Sequence, residues 1–594
     1  MKMKNISTYF TRTACALLLL AVSAGCEAFP TDDSGFTPET PELSIRANEV
    51  ENVPREKTTL TIPVESNLPW HAGTDAGWIS FEKARGTGDG DCIISVALNT
   101  SRDERTGTIR IWITDDAVKT FRITQAPTVP GENPMDYYVR TDGDGTADGL
   151  SWESATTLQN ALAMAVFGDK VHLAAGTYTP WETVAGGSSG NAGDKAIELA
   201  SNVTLIGGYP ADAAEGAEYN PTANETIFSG AMNDGTAYHT VVVTAAPDPD
   251  WKLTVKGITI TGGSATSTGN VSINGTNISR NLGGGVVIVG SAVDFVDCTI
   301  KNNMASTNGN IHVISGSVAS FENCVISGNN SNSNCAALFN NASTVTINNC
   351  TFDSNLAVGV GGAVYAYNTT SKSYTYIYNS MFTGNEVDSG NANATRRGAG
   401  FYGRENSETV IVNCTFSGNK GGNGGAVSAY GTAAAPCKVD IISCTITGNT
   451  AKMSGGGVDI ANTSATVRMY NTIVSGNTAS VTTNSDIFLD GGSNFAEKMC
   501  NVEGTDVYDP NGGKVSTPFD PATMLGPLAD NGGKTKTIAL TGSNNPALTS
   551  GMPVSALTAL GLGYTPEIPE EVIAYDQRGL SRNGKAAIGA WVNE

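Results

Sequence analysis

Asn349-Cys350-Thr351-Phe352-Asp353-Ser354-Asn355 is the stretch on which the fold turns, because it recurs. Variants of the phrase open at Asp297, Asn323, Asn379, Asn413, Ser443 and Asn471, at intervals of 26 to 34 residues. Most copies are followed by a glycine-led run, such as Gly361-Gly362-Ala363-Val364, Gly398-Ala399-Gly400-Phe401, Gly424-Gly425-Ala426-Val427 or Gly455-Gly456-Gly457-Val458. Each repeat thus holds three short strands, here Val345-Thr346-Ile347, Cys350-Thr351-Phe352 and Ala363-Val364-Tyr365-Ala366, with an Asn pair bending the chain between the first two. No such strand can bury its apolar side alone, so successive repeats must stack and share one interior. The expected fold is all-β: a right-handed, single-stranded parallel β-helix with three short strands per coil. At the usual strand spacing, roughly a dozen coils would make a rod of roughly 55–60 Å.

The recurring Phe-x-x-Asn and Gly-Gly-Ala-Val phrases resemble the repeats of polymorphic outer-membrane adhesins. The stretch from Tyr137-Tyr138-Val139 through Gly149-Leu150-Ser151-Trp152 to Gly168-Asp169-Lys170-Val171 is similar to the cap that begins many pectate-lyase-like β-helices. Gly526-Pro527-Leu528-Ala529-Asp530-Asn531-Gly532-Gly533, Asp576-Gln577-Arg578-Gly579 and Ile588-Gly589-Ala590 resemble a choice-of-anchor Q region, which commonly closes large surface β-helices. None of these resemblances implies a demonstrated activity.

At the other end, Lys2, Lys4 and Arg12 precede an apolar run from Ala14 to Val22 and then Ser23-Ala24-Gly25-Cys26. That order is a secretory signal, too short in its apolar part to remain as a membrane span. The small residues before Cys26 resemble a lipobox, which implies acylation of Cys26; simple cleavage and secretion is the alternative. Glu27, Asp32 and Asp33 resemble the tether signal of lipoproteins sent to the outer face of an outer membrane. No C-terminal membrane barrel is read in the chain, so the lipid is expected to supply the anchor.

Residues 41–127 carry short strands at sandwich spacing. Ser66-Asn67-Leu68-Pro69-Trp70, Trp78-Ile79, Asn99, Arg105-Thr106-Gly107 and Ile123-Thr124-Gln125 resemble a BACON domain, a family named for a proposed carbohydrate-binding role whose members also serve as spacers. Trp70 and Trp78 are read first as core and second as sugar-stacking surface. The expected organisation is a signal peptide at 1–25, a tether at 26–40, the small β-sandwich at 41–127, a linker at 128–136, the capped β-helix at 137–500 and the C-terminal region at 501–594.

With 57 acidic against 35 basic residues the chain carries a formal charge of −22, scattered rather than blocked, which argues against a nucleic-acid partner. Of its 11 cysteines, Cys298, Cys324, Cys350, Cys414 and Cys444 share one register. Stacked in register they stay about one strand spacing apart, too far for a disulfide, and are expected as buried free thiols. Asn303, Asn329, Asn355, Asn385, Asn419, Asn449 and Asn477 share a turn register, where Asn is expected to take the left-handed backbone and to hydrogen-bond between coils. Asp142, Asp144 and Asp148 alternate in a way that could hold Ca²⁺, but the run lacks a later bidentate acid, and a capping turn is the favoured reading. No cofactor is otherwise implied.

Hydrolysis of a glycan needs two opposed carboxyls, and no adjacent Asp pair of the polygalacturonase kind stands in the coils. The four histidines lie apart. Arg396, Arg397 and Arg404 with Glu386 and Asp388 form the one cluster that could serve a lyase, and a mutually paired loop is the simpler reading. Strand alternation instead exposes Tyr365, Tyr367, Tyr402, Arg404 and Tyr430, with Tyr374 and Tyr376 facing out on a preceding strand. Flat rings beside a cation suit sugar rings or a partner's surface. The expectation is a non-enzymatic surface lipoprotein that binds glycan or acts as an adhesin toward host or neighbouring cells. The alternatives are a polysaccharide lyase or glycoside hydrolase, and a structural surface component.

Overall fold

The computed structural model describes residues 39–99, 103–127, 134–247, 252–387, 396–481 and 485–593. Cys26, the tether up to residue 38 and Asp388 lie outside the described residues. The chain forms two compact units, residues 1–127 and 128–594.

The first unit pairs a four-stranded antiparallel sheet with a five-stranded one. Alternating residues of the long strands Thr58–Ser66, Gly90–Val96, Arg105–Trp112 and Val118–Gln125 point inward and bury Ile62, Ile94, Ile109, Ile111 and Ile123. Trp70 is fully buried among them, its indole N–H donating to Gly88 O at 2.9 Å, so it has no face for sugar stacking. Trp78 is half-buried under the Arg105 guanidinium, 4.4 Å from the ring. Arg105 also donates to Ala97 O, Leu98 O and the Gln125 amide oxygen, and buried Gln125 in turn donates to Arg55 O and Ala97 O. The motif residues of this unit therefore latch loops onto the sandwich.

The second unit is a parallel β-solenoid of about 12 turns. A representative coil runs through Thr344–Asn348 (ladder 1), Thr351–Asp353 (ladder 2), Leu356–Ala357 (ladder 3) and Val364–Ala366 (ladder 4). Ladders 1, 2 and 4 hold 12, 12 and 11 strands; ladder 3, which adds a two-residue side to the three expected strands, holds eight. Inward columns fill the interior: Phe352, Phe382 and Phe416 stack with centroids 4.8 and 4.5 Å apart, and Phe295 lies on Phe321 at 5.2 Å. The helix Leu158–Met164, capped by the Thr157 side chain, buries Leu158 and Ala161 at the first coil.

The corners separate two tasks that the sequence had merged. Between ladders 1 and 2 the left-handed residue is Asn323, Asn349, Asn379, Asn413 or Asn471, and the thiol column follows it, buried and free of disulfides. Members of the column answer the next coil: Cys324 N–H points to Cys350 Sγ at 3.4 Å, Cys350 N–H to Ser380 Oγ at 3.0 Å and Cys444 N–H to Thr472 Oγ1 at 3.2 Å. Between ladders 2 and 3 the left-handed position is the residue before the ladder asparagine, as at Asn302, Gly328, Ser354 and Gly384, and not the asparagine itself. The ladder asparagines are buried and spend their amides on one another: Asn355 Nδ2 donates to Asn385 Oδ1 at 2.9 Å, and Asn385 Nδ2 to Asn419 Oδ1 at 2.9 Å. Their role is to satisfy buried polar groups from coil to coil.

Residues 508–593 do more than close the end. They run back along the outside of ladders 1 and 2. Met552, Leu557, Tyr564, Val572 and Ile573 cover the outward side chains Tyr376, Tyr378, Val410, Val412, Ile442 and Tyr470. Gln577 meets Thr415 Oγ1 at 2.6 Å, Gly589 N–H donates to Asn471 O, and Ala590 N–H to Thr445 Oγ1. Arg582 is fully buried, which lowers its pKa to about 10, and donates to Asn413 Oδ1 and Gly589 O. The phrases around Gln577 and Gly589 are thus docking contacts. Among the described residues no helix is long and apolar enough to cross a membrane.

Candidate functional site

The expected tyrosine stripe divides. Tyr365, Tyr367, Tyr402, Arg404 and Tyr430 lie on or beside ladder 4, while Tyr374 and Tyr376 lie on ladder 1. Outward parity at Tyr365 and Tyr402 does not give exposure: they are 1% and 4% accessible. Phe339, Tyr365 and Tyr402 stack along the axis at 5.2 and 5.4 Å, so both faces of Tyr365 and one face of Tyr402 are taken by neighbouring rings. The preceding turns press on the column; a Cβ on Gly361 or Gly398 would come within 2.8 Å of Tyr365 or Tyr402 Cβ. Burial raises both phenol pKa values. Tyr376, 2% accessible, lies under the C-terminal segment and donates to Thr565 O. Half-buried Tyr374 packs against the same C-terminal cluster; half-buried Tyr367 and Tyr430 remain, and the Arg404 guanidinium already lies over them at 4.8 and 5.5 Å.

The three arginines of the candidate lyase cluster point to different partners. Arg396 donates to Val358 O, Arg404 sits on its tyrosines, and Arg397 pairs with fully buried Asp459 and, at 3.4 Å, with Asp490. Burial raises the Asp459 pKa against the opposing pull of Arg397 and the Ser428 hydroxyl. In the candidate Ca²⁺ run, Asp144 accepts from Thr146 N–H at 2.8 Å and Asp148 from Leu150 N–H at 3.1 Å, each closing its own turn, and Asp142 is exposed. Among the described residues no three His, Cys, Asp or Glu side chains converge on a metal position.

What the sequence did not reveal is a saddle across the corner between ladders 1 and 2. Its floor is the outward row Thr259, Thr299, Val325 and Thr351 with the corner residues Asp297, Asn323 and Asn349. One wall is the Tyr219-Pro221 loop, and the other is the C-terminal segment at Lys534. A hollow of about 590 Å³ fills this space, and two more, of about 530 and 490 Å³, continue it between Asn379 and Tyr575 and between Asp353 and Lys536. Lys534 lines all three. These volumes are in the range of small-molecule sites.

Several of the saddle's polar groups are already paired, while Asn323 Oδ1 has no partner among the described residues. Tyr219 donates to Asp297 Oδ2 at 3.0 Å, Asn323 Nδ2 to Asp297 Oδ1 at 3.2 Å, and Asn349 Nδ2 to Glu322 Oε1 at 2.9 Å. Glu225 receives Lys301 Nζ and Thr259 Oγ1, each at 2.9 Å, and the Lys301 hydrogen bond holds its pKa below the usual range. The sequence held only a weak signal: segments 210–225 and 508–593 carry no repeat phrase, but neither do the first coils, so its absence alone does not mark a segment lying outside them.

Residues 42–126 match the family model of the viral BACON domain. That match covers the first unit, and the solenoid stands beyond it. Among solved structures, pectate lyase Pel9A is similar at 13% identity over 78% of this chain and 97% of its own, with a TM-score of 0.41. A rhamnogalacturonan lyase is similar at 16% identity over 72% of this chain and 98% of its own, with a TM-score of 0.40. A GH5 xyloglucanase from Bacteroides ovatus, in complex with a XXXG heptasaccharide, matches over 36% of this chain and 46% of its own at 16% identity and a TM-score of 0.15. No curated relative matches the chain.

Proposed function

We propose that this chain is an exported, lipid-anchored surface protein whose solenoid holds a glycan without cleaving it. The observation that carries the reading is the saddle. It is a long open hollow with a hydroxyl- and amide-bearing floor, and the Lys301 hydrogen bond holds its Glu225 carboxyl below the usual range. Glycoside hydrolysis needs a carboxyl kept protonated opposite a second one. Asp459 and Asp486, whose carboxyl pKa values burial raises, both lie outside the saddle. The leader, Cys26 and the acidic residues after it support an anchor at the outer face of an outer membrane, and with it a surface polysaccharide or the glycan coat of a host or neighbouring cell as the ligand.

The test is a screen of the chain lacking residues 1–26 against a polysaccharide panel, recording both retention and new chain ends. Retention without new reducing or unsaturated ends is expected; new ends would replace the reading with a lyase or hydrolase. Cys26→Ser should move the full-length protein from the membrane fraction to the soluble one. Unchanged membrane association would remove the lipid anchor from the proposal.

A further inference from the structure

We infer that the saddle selects an uncharged polysaccharide and rejects polyuronates; this rests on the glycan-binding reading and names the ligand class. The residues lining the three hollows include six carboxylates and three cations. One of those cations, Arg578, is committed to Asp576 at 2.9 Å with both side chains nearly or fully buried. With Glu225 paired to Lys301, that leaves Lys534 and Lys536 to face Asp297, Asp353, Asp530 and Glu571, on a chain whose formal charge is −22. A concave, acid-lined surface focuses negative potential and repels a polyanion approaching it.

A bridging cation would reverse that sign, but the acids do not gather for one: no three of the described acidic, His or Cys side chains converge. What the floor offers instead is Thr299, Thr351, Asn323 and Asn349, groups that both donate and accept hydrogen bonds, as sugar hydroxyls do. Tyr575, 44% exposed, supplies a flat face for a pyranose ring at one wall, and Tyr219, whose ring Lys256 Nζ overlies at 4.6 Å, lines the other. The two tyrosines come from segments 356 positions apart in the chain, so the ligand spans solenoid and C-terminal segment together.

The test uses the chain lacking residues 1–26 in affinity electrophoresis through a xylan, a mannan, a mixed-linkage glucan, polygalacturonate and alginate, with and without Ca²⁺. Retardation by at least one uncharged polymer that persists at high salt, with none by the polyuronates, is the expected result. Retardation by a polyuronate, with or without Ca²⁺, overturns the charge inference and leaves glycan binding standing. No retardation by any polymer overturns both. Two sets of variants locate the effect. Tyr575→Ala and Asn349→Gly should each weaken uncharged-glycan binding about tenfold, a loss of about 1.4 kcal/mol. Asp353→Lys with Glu571→Lys should gain low-salt retention by polygalacturonate, which a misfolded protein would not mimic; no gain would overturn the electrostatic basis.

Discussion

Arg397 illustrates how a surface-looking arginine in a sequence becomes an interior one. Its guanidinium is 12% exposed and answers Asp459, which is fully buried, together with Asp490. Removing one partner of a buried pair leaves an uncompensated charge and costs about 3–5 kcal/mol. Arg397→Ala should therefore lower the urea midpoint sharply, and Asp459→Asn, which keeps a polar partner, should lower it less; equal small effects would show that the pair is solvated. His239 and His312 are also fully buried, which lowers each pKa to about 4. The unfolded chain takes up these protons near the ordinary value of about 6.5, so between there and about pH 4 the unfolded state binds more protons. Stability is then greatest above about pH 6.5 and declines as the pH falls toward 4, by up to about 3 kcal/mol per histidine. His312 already packs on Phe339 at 5.1 Å, so His312→Phe should extend the Phe339–Tyr365–Tyr402 stack and flatten the acid side of a stability–pH curve.

In the coils, the corner ladders carry the specificity of stacking. Asn385 accepts from the backbone and amide N–H groups of Asn355 and donates to Asn419 and to Phe352 O. Asn385→Ala strips partners from both neighbours, and each buried orphan costs about 1–3 kcal/mol. Because a solenoid is held by nearest-neighbour interfaces, that loss should also broaden the denaturation transition as coils on the two sides separate. The thiol corner is more tolerant. Ser380 already stands in the Cys register and accepts from Cys350 N–H, so Cys350→Ser should cost under about 1 kcal/mol. A larger loss would mean that sulfur packing, rather than the N–H acceptor, holds that corner.

For the whole molecule, the C-terminal segment decides which outer faces meet water. It seals the outward side of ladder 1 over the coils that contain Tyr376, Val410, Ile442 and Tyr470, and its polar clamp ties Tyr564 to Asp440 at 2.7 Å, with Arg468 on the same carboxylate. A chain ending at residue 500 would leave a contiguous apolar patch on the solenoid, and such patches drive association. Light scattering should show that shortened chain self-associating where the full chain does not; a monodisperse shortened chain would mean that the segment is dispensable for covering the patch. It would also lose Lys534 and Tyr575 from the saddle, so its glycan retention should fall as well.

The solenoid was legible from the sequence because its determinants are local and repeated. The Asn-Cys-Thr-Phe phrase sets a corner, a strand and the next corner within seven residues, and copies in register can only stack. The thiol column and the coil-to-coil asparagine bonds followed from the same register, as did the outward parity of Tyr365 and Tyr402. Their burial did not, since it depends on ring stacking between coils and on glycine turns that fold against the rings. The saddle was hidden for a related reason: Tyr219, Asn349, Lys534 and Tyr575 share no motif and are brought together by two irregular segments lying across a regular surface. A repeat determines a surface through contacts one coil away. Which part of that surface stays open is decided by irregular segments outside the repeat, the C-terminal one some hundreds of residues distant, whose side chains find their partners only in the folded molecule.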